Sequence, residues 1–287
     1  MNDTMTNLKK YTDEELNLIK RNELMILKEI IRLCEENNLK YYLYGGTALG
    51  AIRHKGFIPW DDDIDITLFR EDYERLMEIL DEQLDEKFEI LNSKKQEDYF
   101  LPFTKVSLKG TRFEEFWVEQ VSFNIGFFID IFPLDNIPES EFKFKIQYYK
   151  CRIYYHLLVN SIVKIETGSK INSFLHKFLH SFLNIIPRSD KFFKKKYLKS
   201  LIKYNNIETN FVTDYYSQRG IYIFDKQDFE PSKKVKFESI YANIPKNCDK
   251  ILTEIYGNYM ELPPKDKRFN HAPEVLDFGK YNETYYK

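Results

Sequence analysis

Between residues 13 and 37, Leu16, Ile19, Leu24, Leu27, Ile30, Ile31 and Cys34 fall on one stripe with charged residues between them. That spacing predicts an amphipathic helix packed on the sheet that follows. Residues 40–44 form a short β-rich run that stops at Gly45-Gly46-Thr47. Two glycines permit a tight turn there, and Thr47 can cap a helix continuing from Leu49 to His54. Gly56 and Pro59 then interrupt the pattern; residues 63–68 alternate as a strand does, and Tyr73, Leu76, Met77, Leu80 and Leu84 mark a further helix. Strands are also expected at 88–91, 103–108, 111–118 and 126–132, after which Pro133 and Pro138 punctuate the chain and place a boundary near 137. Residues 140–205 read as helical, and a last helix over 247–256 stops at Gly257 before Pro263-Pro264. The expected fold class is α/β (α+β), a mixed sheet flanked by helices with a mostly helical C-terminal portion. Its division is a catalytic core over 1–137 and an accessory region over 138–287.

Composition narrows the function. The 287 residues carry 43 Lys plus Arg against 45 Asp plus Glu, a net charge of −2 that offers nucleic acid no strong field. Residues 141–200 nevertheless hold 13 basic side chains against 3 acids, and Phe174, Leu175, Phe178, Leu179, Phe182, Leu183 and Ile186 recur there at helical spacing. Such a segment either packs its apolar stripe on the core or lies peripherally on an anionic membrane. Cys34, Cys151 and Cys248 are too scattered for a disulfide framework or a zinc site. With no apolar leader in residues 1–16 and no run of the roughly 18 apolar residues that a spanning helix needs, a cytoplasmic location is expected.

The chemistry concentrates in Asp61-Asp62-Asp63-Ile64-Asp65. Strand alternation puts Asp63 and Asp65 on one face while Ile64 and Ile66 point into the core. Two carboxylates about 5 Å apart at an effective dielectric near 20 repel by roughly 3 kcal/mol, which a divalent cation reverses. Hard oxygen donors suit Mg²⁺ or Mn²⁺. Asp61 and Asp62 are either supporting residues or exposed. Gly45 and Gly46 ahead of a helix offer backbone N–H groups to a phosphate, or simply a turn, with Arg53, His54 and Lys55 as further basic groups. Asp130, alone among Phe127, Phe128, Ile129, Ile131 and Phe132, requires a partner: a metal, a backbone donor or an arginine. Asp135 reads as a turn or capping residue.

The segment YYLYGGTALGAIRHKGFIPWDDDIDITLFREDYERL, followed by GFFIDIFPLD and ILTEIYGNYMELPPKDKRFNH, resembles the signature of the LicD family, to which fukutin and fukutin-related protein are also similar. That resemblance spans residues 24–137 and 250–271, so the C-terminal stretch is expected to return to the core. It implies a nucleotidyltransferase fold in which Gly45, Gly46 and Thr47 hold nucleotide phosphates and Asp63, Asp65 and Asp130 bind metal and act catalytically. It further implies transfer of a phosphoalcohol, typically phosphocholine, from a CDP-alcohol such as CDP-choline to a glycan or lipid-linked polysaccharide hydroxyl, releasing CMP. Trp60 and Trp117 are aromatic candidates for a quaternary ammonium. The competing readings are transfer of a nucleoside monophosphate to a protein or small molecule, and a non-catalytic glycan-binding protein.

Overall fold

The computed structural model describes residues 11–166, 169–217, 220–268, 270–271 and 273–282; residues 1–10 of the leader reading and Phe269 of the C-terminal motif lie outside these. Within them the elements follow in the order α1 (Asp13–Glu36), β1 (Tyr42–Leu43), α2 (Gly45–His54), β2 (Asp65–Phe69), α3 (Arg70–Gln83), β3 (Phe88–Leu91), β4 (Thr104–Leu108), β5 (Arg112–Glu114) and β6 (Phe128–Asn136). Then come α4 (Glu141–Ile162), α5 (Lys170–Ile185), α6 (Ser189–Leu201), β7 (Phe211–Thr213), β8 (Phe224–Asp225), β9 (Lys233–Phe237), β10 (Ile240–Ile244), α7 (Cys248–Tyr256) and β11 (Val275–Asp277).

A mixed sheet in the order β1-β2-β6-β4-β3 forms the centre, with β6 parallel to β2 and antiparallel to β4. Strand β7 pairs with Asp135 and Asn136 at the end of β6, and β8 pairs with β7, so the chain beyond 137 rejoins the sheet at 211. Hairpin β9–β10 and the pair β5–β11 stand beside it. The expected α+β architecture is present. Pro133, expected to end the sixth strand, sits inside it opposite Leu68. The β4 pairing of β6 stops at Ile131 and the β7 pairing starts at Asp135, so the missing N–H falls between two ladders.

Helix α1 begins in a reciprocal cap: Glu15 N–H donates to the Thr12 hydroxyl at 3.1 Å and Thr12 N–H donates to the Glu15 carboxylate at 2.8 Å. Its buried face holds Ile19, Ile26, Leu27, Ile30, Ile31 and Cys34, and also two polar residues, Asn22 and Glu23. Leu16 and Leu24, assigned to the stripe from sequence, are only partly buried. Thr47 does not cap α2; Tyr44 occupies the cap position, and the Thr47 hydroxyl accepts Asp65 N–H at 2.8 Å, fastening the helix to β2.

Candidate active site

The acidic run is extended before it becomes a strand: β2 starts at Asp65, and Ile64 is held by Asp130 N–H donating to its carbonyl oxygen at 2.8 Å. Alternation still governs it. Asp62, Ile64 and Ile66 point inward, each 0% exposed, whereas Asp61, Asp63 and Asp65 on the other parity are partly open. Asp62 is therefore neither exposed nor at the opening. Its carboxylate accepts the Tyr11 hydroxyl at 2.6 Å and the His271 backbone N–H at 3.0 Å, and His271 Nδ1 stands 3.2 Å away. A buried aspartate so held fastens Tyr11 and His271 to the acidic loop.

Asp61 and Asp65 gather over the start of α2, and Asp63 lies against Asp61. Gly45 has φ +51°, and a Cβ there would lie 3.2 Å from Asp65 Oδ2; on Gly46 it would lie 3.0 Å from Asp61 Oδ2. The left-handed backbone favours glycine at the first position, and at both an added Cβ would have to push a carboxylate oxygen aside by a few tenths of an ångström. Burial, then the neighbouring acids Asp63 and Asp62, raises the Asp61 carboxyl well above its usual range, and Asp61 and Asp63 are in hydrogen-bond contact. Asp65 is raised likewise, by burial and then by Asp63 and Asp130. Carboxyls that crowd until they share protons form a site short of positive charge, the condition that a hard divalent cation relieves.

Asp130 has a partner that the sequence did not reveal. Asp65, Asp130 and Lys105 stand in register across β2, β6 and β4. Lys105 Nζ donates to both Asp130 oxygens, at 2.8 and 3.0 Å, while lying 3.4 Å from the centre of the Phe128 ring. Burial raises the Asp130 carboxyl to about 6, against the opposing pull of Lys105. With both its oxygens on a lysine, Asp130 adjoins the acidic cluster rather than completing it. His271 also belongs here: burial pulls its imidazolium down, but the hydrogen bond it donates to Asp62 and the charge of Asp63 outweigh this and raise it well above the ordinary histidine range. Among the described residues, Asp62, Asp63 and His271 place three ligand atoms within 4.8 Å of one another. Because Asp62 is already bonded to Tyr11 and to the His271 backbone, the more open Asp63 is the better metal donor of the three.

Glu23 on α1 was equally hidden from sequence reasoning, since it interrupts an apolar stripe. It is 1% exposed, its Oε2 has no hydrogen-bond partner among the described residues, and burial followed by the charges of Asp62 and Asp63 raises its carboxyl well above the usual range.

Other expected residues are placed elsewhere. Arg53, His54 and Lys55 end α2, about 13 Å along the helix from Gly45. Arg53 Nη1 donates to the Tyr259 carbonyl oxygen at 2.6 Å, and Lys55 N–H closes the helix on the Gly50 carbonyl. The structure therefore does not bring these three to the acidic cluster. Trp117 is core, in edge contact with Phe100 and Phe123, and the Trp60 ring is covered by the Arg268 guanidinium at 4.2 Å. Asp135 is no turn residue: within β6 it receives the fork of Arg70 at 2.7 and 2.8 Å.

Residues 38–169, which contain the glycine turn, the acidic run, Lys105 and Asp130, match the LicD/FKTN/FKRP nucleotidyltransferase domain. Over 279 residues, 93% of this chain and 99% of the relative, the sequence is 29% identical to the lipopolysaccharide cholinephosphotransferase LicD of Haemophilus influenzae. A shorter segment of 43 residues, 15% of this chain and 9% of the relative, is 42% identical to the human ribitol 5-phosphate transferase FKRP. The glycine turn, the acidic loop and the central strands that carry them thus lie in the segment similar to the LicD/FKTN/FKRP nucleotidyltransferase domain, within a chain similar along nearly its whole length to a LicD cholinephosphotransferase.

Proposed function

We propose that this chain transfers a phosphoalcohol, phosphocholine in the first instance, from a CDP-alcohol to a hydroxyl of a glycan or lipid-linked polysaccharide, releasing CMP. One observation carries this reading: Asp65 and Asp61 approach the Gly45-Gly46 turn so closely that a side chain on either glycine would meet a carboxylate oxygen, at 3.2 and 3.0 Å respectively. Carboxylates at a phosphate-binding helix start suit a pyrophosphate donor with its counter-cation.

Asp63 and Asp65, with Asp61 beside them, would hold Mg²⁺ or Mn²⁺, which supplies charge neutralisation to the pyrophosphate and its leaving group. The backbone N–H groups at the start of α2 receive a phosphate oxygen. Asp130, held by burial near neutrality at about 6, accepts the proton of the attacking hydroxyl, while Lys105 keeps it oriented across the sheet. The hydroxyl oxygen bonds to the β-phosphorus, the bond from that phosphorus to the bridging oxygen breaks, and CMP departs with the bridging oxygen. Asp62 and His271 act by position, anchoring the loop.

Thermal unfolding with Mg²⁺ and a panel of CDP-choline, CDP-ribitol, CDP-glycerol and nucleoside triphosphates tests the donor. A CDP-alcohol at 100 times its dissociation constant stabilises by about 2.7 kcal/mol. Protection by one CDP-alcohol above the triphosphates is expected; protection by triphosphates alone overturns the reading in favour of nucleotidyl transfer.

A further inference from the structure

Helix α5 turns its polar side to the protein and its apolar side to solvent. His176 Nδ1 lies 2.8 Å from Asn160 Oδ1, His180 Nδ1 lies 2.8 Å from the Asn160 carbonyl oxygen, and Asn184 Nδ2 donates to the Ser161 carbonyl at 3.4 Å. On the opposite side Phe174, Leu175, Phe178, Phe182 and Ile185 are 52% to 77% exposed, and Leu183 alone of the described side chains in this helix is buried. Helix α4 carries a second outward stripe of Phe142, Ile146, Tyr149 and Ile153, each more than half exposed, with Lys145 and Lys150 bordering it. A surface helix ordinarily buries its apolar stripe, so an outward one marks a face that is covered in use.

Charge identifies what covers it. Residues 169–200 hold eight Lys or Arg and a single acid, Asp190. Lys191 pairs with Glu97, and Lys194 Nζ donates to the carbonyl oxygens of Gln96 and Glu97, so those two fasten α6 to the core. Lys170 at the start of α5 and Lys177 along it are exposed, Lys177 pairing with Glu166 on the surface. A second copy seated on this face would set like charge against like. An anionic bilayer offers acyl chains to the phenylalanines and phosphates to the lysines at once. Among the described residues no helix is long and apolar enough to cross a membrane, so contact runs along the surface.

We infer that α5, with the outward stripe of α4, is a docking face for an anionic lipid bilayer. This goes beyond the transferase reading and does not depend on which bond the enzyme breaks.

Co-sedimentation of the full chain with mixed phosphatidylglycerol–phosphatidylcholine vesicles and with pure phosphatidylcholine vesicles, at low and high salt, tests it. The chain binds the anionic vesicles preferentially. Phe174→Gln with Phe178→Gln lowers that binding by at least about tenfold without changing the unfolding temperature, because both rings are already in solvent. Lys170→Gln with Lys177→Gln lowers it about fivefold or more at low salt and has little further effect at high salt. Equal partitioning to both vesicle types, no partitioning, or a concentration-dependent dimer that the phenylalanine pair disrupts overturns the proposal.

Discussion

The pairing of Lys105 with Asp130 sets a sharp expectation at the scale of single residues. Both side chains are buried, at 4% and 8% exposure, and each is the other's directly bonded counter-charge in a region where Phe128 and Phe103 exclude water. Lys105→Met should remove about 3–5 kcal/mol of stability by leaving a buried carboxylate unpaired. The double variant Lys105→Met/Asp130→Leu should recover most of that loss while remaining inactive. Urea unfolding of the two single variants and the double one measures the coupling, and additive losses would mean that the pair does not act as a unit. Asp214 gives a second expectation, through pH. Burial raises its carboxyl to about 7 despite the Tyr216 N–H that donates to it at 2.8 Å. An acid raised on folding contributes stability below its unfolded value near 3.8 and loses that contribution as pH climbs through about 7. Asp214→Asn should therefore match the parent at pH 4 and exceed it at pH 8 by on the order of 2–4 kcal/mol. Thermal melts across that range decide it, and parallel pH profiles for the two proteins would contradict it.

At the scale of elements, the sequence was legible wherever burial and period agree. Helix α1 was delimited to within a residue or two because its caps and stripe coincide, and β3 was placed at 88–91 for similar reasons. Parity along Asp61–Asp65 was also readable, and taken one step further it separates Asp62, on the inward side with Ile64, from Asp61 on the open side. Partners far along the chain were not readable. Lys105 meets Asp130 only because β4 and β6 pair in one register out of several, and His271 reaches Asp62 across 209 positions. The basic cluster 53–55 looked like part of the phosphate site by its nearness in sequence, but a helix separates residues along its own axis. Helix α5 was recognisable as amphipathic; which side faces inward depended on the polar groups of Asn160 and Ser161 in a neighbour that no periodicity reveals.

At the scale of the molecule, the site joins distant parts of the chain around one loop: Tyr11 ahead of α1, Glu23 within it, the sheet residues Asp65, Asp130 and Lys105, and His271 beyond α7. The proposed reaction requires this assembly to receive the pyrophosphate of a donor against the acidic loop with its outer phosphorus open to attack, and this is the central claim. Position-of-cleavage analysis in ¹⁸O-labelled water addresses it without requiring the acceptor. The full chain is incubated with Mg²⁺ and the CDP-alcohol that best protects it, and ³¹P NMR locates the label by its isotope shift. The account predicts ¹⁸O in the released phosphoalcohol and unlabelled CMP, with Asp65→Asn slowing the reaction by at least about 100-fold while unfolding at no lower temperature. Label appearing in CMP, or an Asp65→Asn variant as fast as the parent, would contradict it.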